Sequence, residues 1–244
     1  IMTDKFTKMT NMSKNLKIEL NKKRRYDVLN FLADGEYWTT AENIKTLLNV
    51  EHLAYVRRFL DTLIRDQFLI KQSQIVNGYS KNYYCITSLG FEFVGIEDEP
   101  KKSKLSHLTM YHNELVQRLH IAALKSDKFV TWQTEIVLKR KQEFKSYPDA
   151  LFNDVSIELQ RNAYSIDALH KKIGLCLADW FDKKFRQILF VCVDNLTAER
   201  LSDAINKVNE IKNSRGENIL VTVEMKAIFK CINYDEFEGF LKDE

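Results

Sequence analysis

The 244 residues leave room for one large domain or two small ones, and 45% hydrophobic with 11% aromatic residues describes a chain that folds around a core. Four scattered cysteines in no CxxC pair argue against a disulfide framework or a structural zinc cluster. With no apolar run near the ~20 residues of a membrane helix and no apolar signal core, a reducing cytoplasm is the expected compartment. The net charge of +3 is uneven, with the Lys and Arg excess in residues 1–95, a bias toward a polyanionic partner.

The first dozen residues are polar and aperiodic and are expected to fray. A helical pattern opens at Lys22-Lys23-Arg24-Arg25 and carries Tyr26, Leu29, Phe31 and Leu32 to a stop at Asp34-Gly35. Thr39-Thr40-Ala41-Glu42 offers a hydroxyl cap ahead of an acid, the start of a helix through Ile44 and Leu47-Leu48. A third helix, about 51–66, turns Leu53, Val56, Phe59, Leu60 and Leu63 inward and leaves His52, Tyr55, Arg57, Arg58 and Arg65 on other faces. Segments 68–76 and 79–87 are strands joined at Asn77-Gly78, a strong hairpin signal.

Three helices and a hairpin are the order of a winged helix-turn-helix, here over residues 20–95. Helix 51–66 would then be the recognition helix, with Arg57 and Arg58 aimed at phosphates or guanines. Lys81 and Tyr83 on the wing would touch the DNA backbone. Winged helices also serve purely protein contacts, and two adjacent arginines are most often a solvated helix face.

Residues 97–104 are charged and contain Pro100, the pattern of a linker. Beyond it the expected order is helix 105–126, strands 129–138, 147–152 and 155–160, helix 165–182, strand 187–193, helix 197–213, strand 218–224 and a further strand at 226–232. The chain is thus α+β, with an α-β-β-β-α-β domain and a mixed sheet over 104–244.

The chemistry concentrates at Tyr147–Phe152 and Val155–Gln160. With Asn153-Asp154 as a two-residue turn, antiparallel register pairs Phe152 with Val155 and Ala150 with Ile157. Asp149 then stands opposite Glu158. Alternation puts Asp149, Ser156, Glu158 and Gln160 on one face and Ala150, Phe152, Ile157 and Leu159 on the other. Opposed like charges destabilise a strand pair, so acids kept there are expected to gather around a cation. The bland alternative is a buried pair held by hydrogen bonds.

This order, with Pro148-Asp149 opening one strand and Glu158-Leu159-Gln160 on the next, resembles the PD-(D/E)xK nuclease core of many restriction endonucleases. The resemblance implies Mg²⁺ or Mn²⁺ held by the acids over a scissile phosphate. The usual lysine two residues after Glu158 is replaced by Gln160, which shares its face and can orient a water or bind a phosphate oxygen. Lys171 and Lys172 on the following helix are the substitutes. His112-Asn113, Trp132-x-x-Glu135, Pro148-Asp149-Ala150, Glu158 and Lys172 together resemble the MobC-type plasmid mobilisation relaxases and related replication-relaxation proteins, which join a winged helix-turn-helix to a degenerate nuclease core.

That resemblance implies a metal-dependent nickase acting on double-stranded plasmid DNA at an origin of transfer, with a relaxosome accessory or coupling protein as partner. It makes Asp149, Glu158, Gln160, Lys172 and Glu135 the catalytic set, with Asp149, Glu158 and Glu135 on the metal. Glu135 beside Lys139-Arg140-Lys141 reads equally as a solvated ion pair, and His112 as an ordinary helix histidine. A covalent route through Tyr147 or Tyr164 is rejected, because the five histidines are scattered and cannot build a three-His site. The rivals are a DNA-binding regulator whose nuclease fold is only a scaffold, favoured by Gln160, and a protein-interaction module.

Overall fold

A computed structural model describes residues 14–76, 78–96, 107–162, 164–212 and 216–243. The first dozen residues, expected to fray, Asn77 of the expected turn and the expected linker 97–104 lie outside the described residues. The chain separates into two compact units, Ile1–Lys104 and Leu105–Glu244.

In the first unit, α1 (Lys14–Phe31) begins at Lys14 rather than Lys22. Leu16, Lys17, Glu19 and Leu20 are good helix formers, and Glu19 meets Lys22 one turn on at 3.1 Å. The helix gives way at Gly35, whose φ of 103° suits glycine. There follow β1 (Trp38–Thr39), α2 (Ala41–Leu47), α3 (Leu53–Arg65), β2 (Leu69–Val76), β3 (Tyr79–Ile86) and α4 (Ser88–Phe93). Thr40 caps α2 by accepting the Asn43 N–H, and Thr87 caps α4 by accepting that of Gly90. The amphipathic stripe of α3 buries Val56, Leu60 and Leu63. The register pairs Val76 with Tyr79, and Gly78 just ahead of β3 has φ 81°. The three strands form one antiparallel sheet in the order β1-β3-β2.

That order corrects the expectation for Tyr83. β3 is the central strand and both its faces are covered toward its end, so Tyr83 is fully buried, its ring edge-on to Trp38 at 5.1 Å. A buried side chain cannot touch DNA. Lys81 lies half-buried with its ammonium 6.0 Å from the Tyr83 ring centre, and Arg57 and Arg58 are exposed on α3.

The second unit runs α5 (His107–Leu124), β4 (Trp132–Thr134), α6 (Glu135–Lys141), β5 (Ala150–Phe152), β6 (Val155–Gln160), α7 (Ile166–Phe181), β7 (Gln187–Cys192), α8 (Asn195–Lys207), β8 (Glu210–Lys212), β9 (Asn218–Leu220), α9 (Val223–Ala227), β10 (Phe229–Asn233) and α10 (Phe237–Asp243). Five strands form a mixed sheet in the order β10-β7-β6-β5-β4; β4, β5 and β6 pair antiparallel, β6, β7 and β10 parallel. On one face Leu151, Ile188, Phe190 and Cys192 pack with Leu169, Ile173 and Leu177 of α7 and Leu201 of α8. On the other, Phe152, Ile157, Leu159 and Val191 pack with Leu115 and Leu119 of α5 and Phe237 of α10.

Several boundaries differ from expectation. The strand expected at 129–138 stops at Thr134 and becomes α6, so Glu135 starts a helix instead of lying in a strand. The run Ile136-Val137-Leu138 suggests a strand. Yet Glu135 in the first turn, three cations in the last and a 2.6 Å Glu135–Lys139 pair favour the helix, which buries Leu138. The helix expected to reach 213 ends at Lys207, and β8 and β9 form a separate two-stranded ribbon. The last strand of the main sheet is therefore β10. Among the described residues no helix is long and apolar enough to cross a membrane.

Candidate carboxylate–lysine site

The β5–β6 hairpin has the expected register, Ala150 opposite Ile157 and Phe152 opposite Val155. Asn153 turns the chain with φ 52°, and its side-chain oxygen accepts the N–H groups of Val130 and Thr131 at 3.1 and 3.0 Å. The tip of the hairpin thereby fixes the segment that leads into β4.

Asp149 lies one residue ahead of β5. Its Oδ1 meets His112 Nε2 from α5 at 2.9 Å, and its Oδ2 accepts the Leu159 N–H at 2.7 Å. Its carbonyl accepts the Glu135 N–H at 3.0 Å, so the start of α6 is fastened to the same residue. Glu158, buried on β6, receives the Lys172 ammonium at 2.5 Å, and that ammonium also donates to Ser146 Oγ at 2.9 Å. Lys172 comes from α7, whose start Ser165 caps by accepting the Ala168 N–H.

These contacts set the electrostatics. Burial pushes the Glu158 carboxyl up, the Lys172 ammonium pulls it down and the Asp149 charge adds to the rise; the balance lies at about 8. Burial also works against the Lys172 ammonium, but the Glu158 charge beside it holds it above the ordinary lysine range. For His112, burial opposes protonation, while the hydrogen bond and charge of Asp149 outweigh it and raise the pKa. Burial pushes the Cys176 thiol, one turn along α7 from Lys172, up to about 12, which leaves it unreactive.

The structure thus brings Asp149, Glu158, His112 and Lys172 to one end of the hairpin. Lys171 is exposed and faces the groove between α7 and the β8–β9 ribbon. Glu135 stands close enough to raise Glu158 and His112, but its carboxylate is engaged by Lys139. The Gln160 amide turns away and donates to the Asn162 carbonyl. Tyr147 and Tyr164 pack against the core on the α7 face, and burial followed by the Glu158 charge raises the Tyr164 hydroxyl. Among the described residues no three His, Cys, Asp or Glu side chains form a ready-made metal cage. The donor chemistry nevertheless fits a hard divalent cation, since magnesium keeps several waters and needs only one or two carboxylates.

Sequence reasoning missed Asp179. It is fully buried on α7, and its two oxygens accept the backbone N–H of Lys145 at 2.8 and 3.1 Å and of Ser146 at 2.8 Å. The signal was an aspartate on the stripe of Leu169, Ile173 and Cys176, where a charge survives only if hydrogen-bonded. No family model matches the sequence, and no curated protein and no solved structure matches it either.

Asp179→Ala orphans two backbone donors, at about 1–3 kcal/mol each. The variant is expected to lose that stability in urea melts. It should also loosen the 145–149 segment, measured as faster amide exchange there than in β7.

Proposed function

We propose that the chain is a metal-dependent DNA endonuclease of the plasmid mobilisation relaxase kind, which nicks one strand of double-stranded DNA at an origin of transfer. The observation that carries this reading is that Asp149, just ahead of β5, stands close enough for its charge to raise Glu158 on β6, with Lys172 brought onto Glu158 from the following helix. The order α5-β4-α6-β5-β6-α7-β7, with α6 inserted after the first strand, supports a PD-(D/E)xK-like core for the second unit. The order of α1 to β3 and the exposed Arg57 and Arg58 support a winged helix-turn-helix reader for the first, with Lys81 at its flank.

Asp149 and Glu158 are the residues that would hold Mg²⁺ or Mn²⁺, with Glu135 near enough to join them once released from Lys139. The ion, when bound, supplies Lewis acidity and a water of lowered pKa. Lys172 replaces the missing motif lysine, its charge placed where an attacking hydroxide and a phosphorane need it. His112 orients Asp149. A second reading, a non-catalytic DNA-binding regulator in a relaxosome or replication complex, draws on one fact: both carboxylates already have partners within the protein.

Purified protein incubated with supercoiled plasmid and Mg²⁺ or Mn²⁺ is expected to yield open circles; intact supercoils in both metals would favour the regulator. Lys172→Ala should slow nicking by about 10²–10³-fold, the cost of one electrostatic contact in an active site. Lys171→Ala should be mild.

Metal affinity should depend on pH in a defined direction. A carboxyl raised to about 8 is mostly protonated at neutral pH, and the metal needs the carboxylate, so binding expels a proton. Mn²⁺ affinity measured by titration calorimetry should climb by up to about tenfold per pH unit below that value and level off above it. Flat affinity between pH 6 and 9 would remove Glu158 from the ligand set.

Arg57→Ala combined with Arg58→Ala should weaken DNA binding and flatten its salt dependence, since each phosphate contact releases counterions. Mn²⁺ binding should not change. Unaltered DNA affinity would separate α3 from DNA reading.

A further inference from the structure

We propose that Arg161 and Tyr111 form a phosphate-binding subsite beside the acid pair, a cradle for the sugar-phosphate backbone of a nucleic-acid strand. The identity of that strand rests on the endonuclease reading above; the subsite itself is argued from other residues.

Arg161 follows β6 directly, two residues beyond Leu159, whose N–H holds Asp149. Tyr111 precedes His112 on α5, and His112 holds the other oxygen of the same carboxylate. Two separate chain segments therefore bring these side chains to the end of the sheet where Asp149 stands. There the Arg161 guanidinium lies 4.8 Å from the centre of the Tyr111 ring, a cation–π contact. Tyr111 is 47% exposed, so the pair faces solvent.

A nucleic-acid strand approaching Asp149, Glu158 and Glu135 meets acids already balanced from within the protein, so attraction needs a cation not spent on them. The other nearby cations are committed. Lys172 serves Glu158, Lys139 serves Glu135 and His112 serves Asp149. Arg161 has no carboxylate partner among the described residues, and its charge reaches His112. Held over the ring, the guanidinium has no acid among those residues to neutralise it, and its N–H fork can meet two phosphate oxygens. A lysine there would be a mobile point charge.

The test isolates the second unit by using the full chain with Arg57→Ala and Arg58→Ala as the parent. Affinity for a duplex oligonucleotide of arbitrary sequence is followed by fluorescence anisotropy in Ca²⁺ over a range of KCl. Adding Arg161→Ala should reduce the slope of log affinity against log salt by about 0.9, the loss of one phosphate contact, and weaken binding several-fold. Arg161→Lys should keep the slope while losing affinity. Tyr111→Phe should match the parent, and Tyr111→Ala should behave as Arg161→Ala does.

Equal slopes for Arg161→Ala and its parent would overturn the subsite, as would a parent that fails to bind the duplex. Nicking of supercoiled plasmid by the wild-type chain is scored separately. A chain that never nicks but loses slope with Arg161→Ala keeps the subsite and loses the nuclease reading. One that nicks with an unchanged slope does the reverse.

Discussion

Glu158 occupies a strand covered on both faces, where a lone carboxylate is among the most costly groups a fold can hold. Its side chain is 9% exposed and that of Lys172 16%, so neither charge is hydrated as it would be at the surface. Removing one partner of such a pair typically costs about 3–5 kcal/mol, whereas an open pair such as Arg186–Asp154, half-exposed on both sides, is worth at most ~1 kcal/mol. Apolar residues of similar size would fill this space at less risk. Through Lys172 the contact ties α7 to β6 and to Ser146 of the 142–149 loop, and it opposes the rise that burial imposes on the Glu158 carboxyl.

The legible parts of the fold are those governed by local rules. A two-residue turn and strict alternation determine the hairpin register, so the pairing of Ala150 with Ile157 and of Phe152 with Val155 is readable from the residues alone. The α3 stripe and the Thr40 cap are readable for the same reason. Tertiary context decides the rest. Ile136 and Val137 favour a strand by propensity, but α6 forms because Leu138 alone is taken into the core while its ends suit a helix dipole. Tyr83 looks like a wing residue until β3 is known to be central. Asp179 is one carboxylate among many until the 145–146 backbone is seen against it.

Each acid of the pair is balanced differently. Asp149 is held by one imidazole and one backbone N–H at the rim, Glu158 by an ammonium in the interior. One carboxylate is thus ready to meet a ligand from solvent and the other is screened from it. An arriving cation would meet Asp149 first and would have to compete with Lys172 for Glu158. Arg161 on Tyr111 adds positive charge at the open side, which the acids alone would deny to a polyanion.

The 145–149 segment is attached to α7 from Lys172 and Asp179, and again at the helix C-cap, where the Lys145 ammonium meets Asp182 at 2.8 Å. Lys172 takes the Ser146 hydroxyl, and Asp179 takes the Lys145 and Ser146 amides. Those helix positions are seven residues apart, about 10 Å along the axis. These contacts converge on the adjacent residues 145 and 146, so a displacement of α7 carries that short stretch with it and reaches Asp149, three residues on, through the backbone that enters the hairpin.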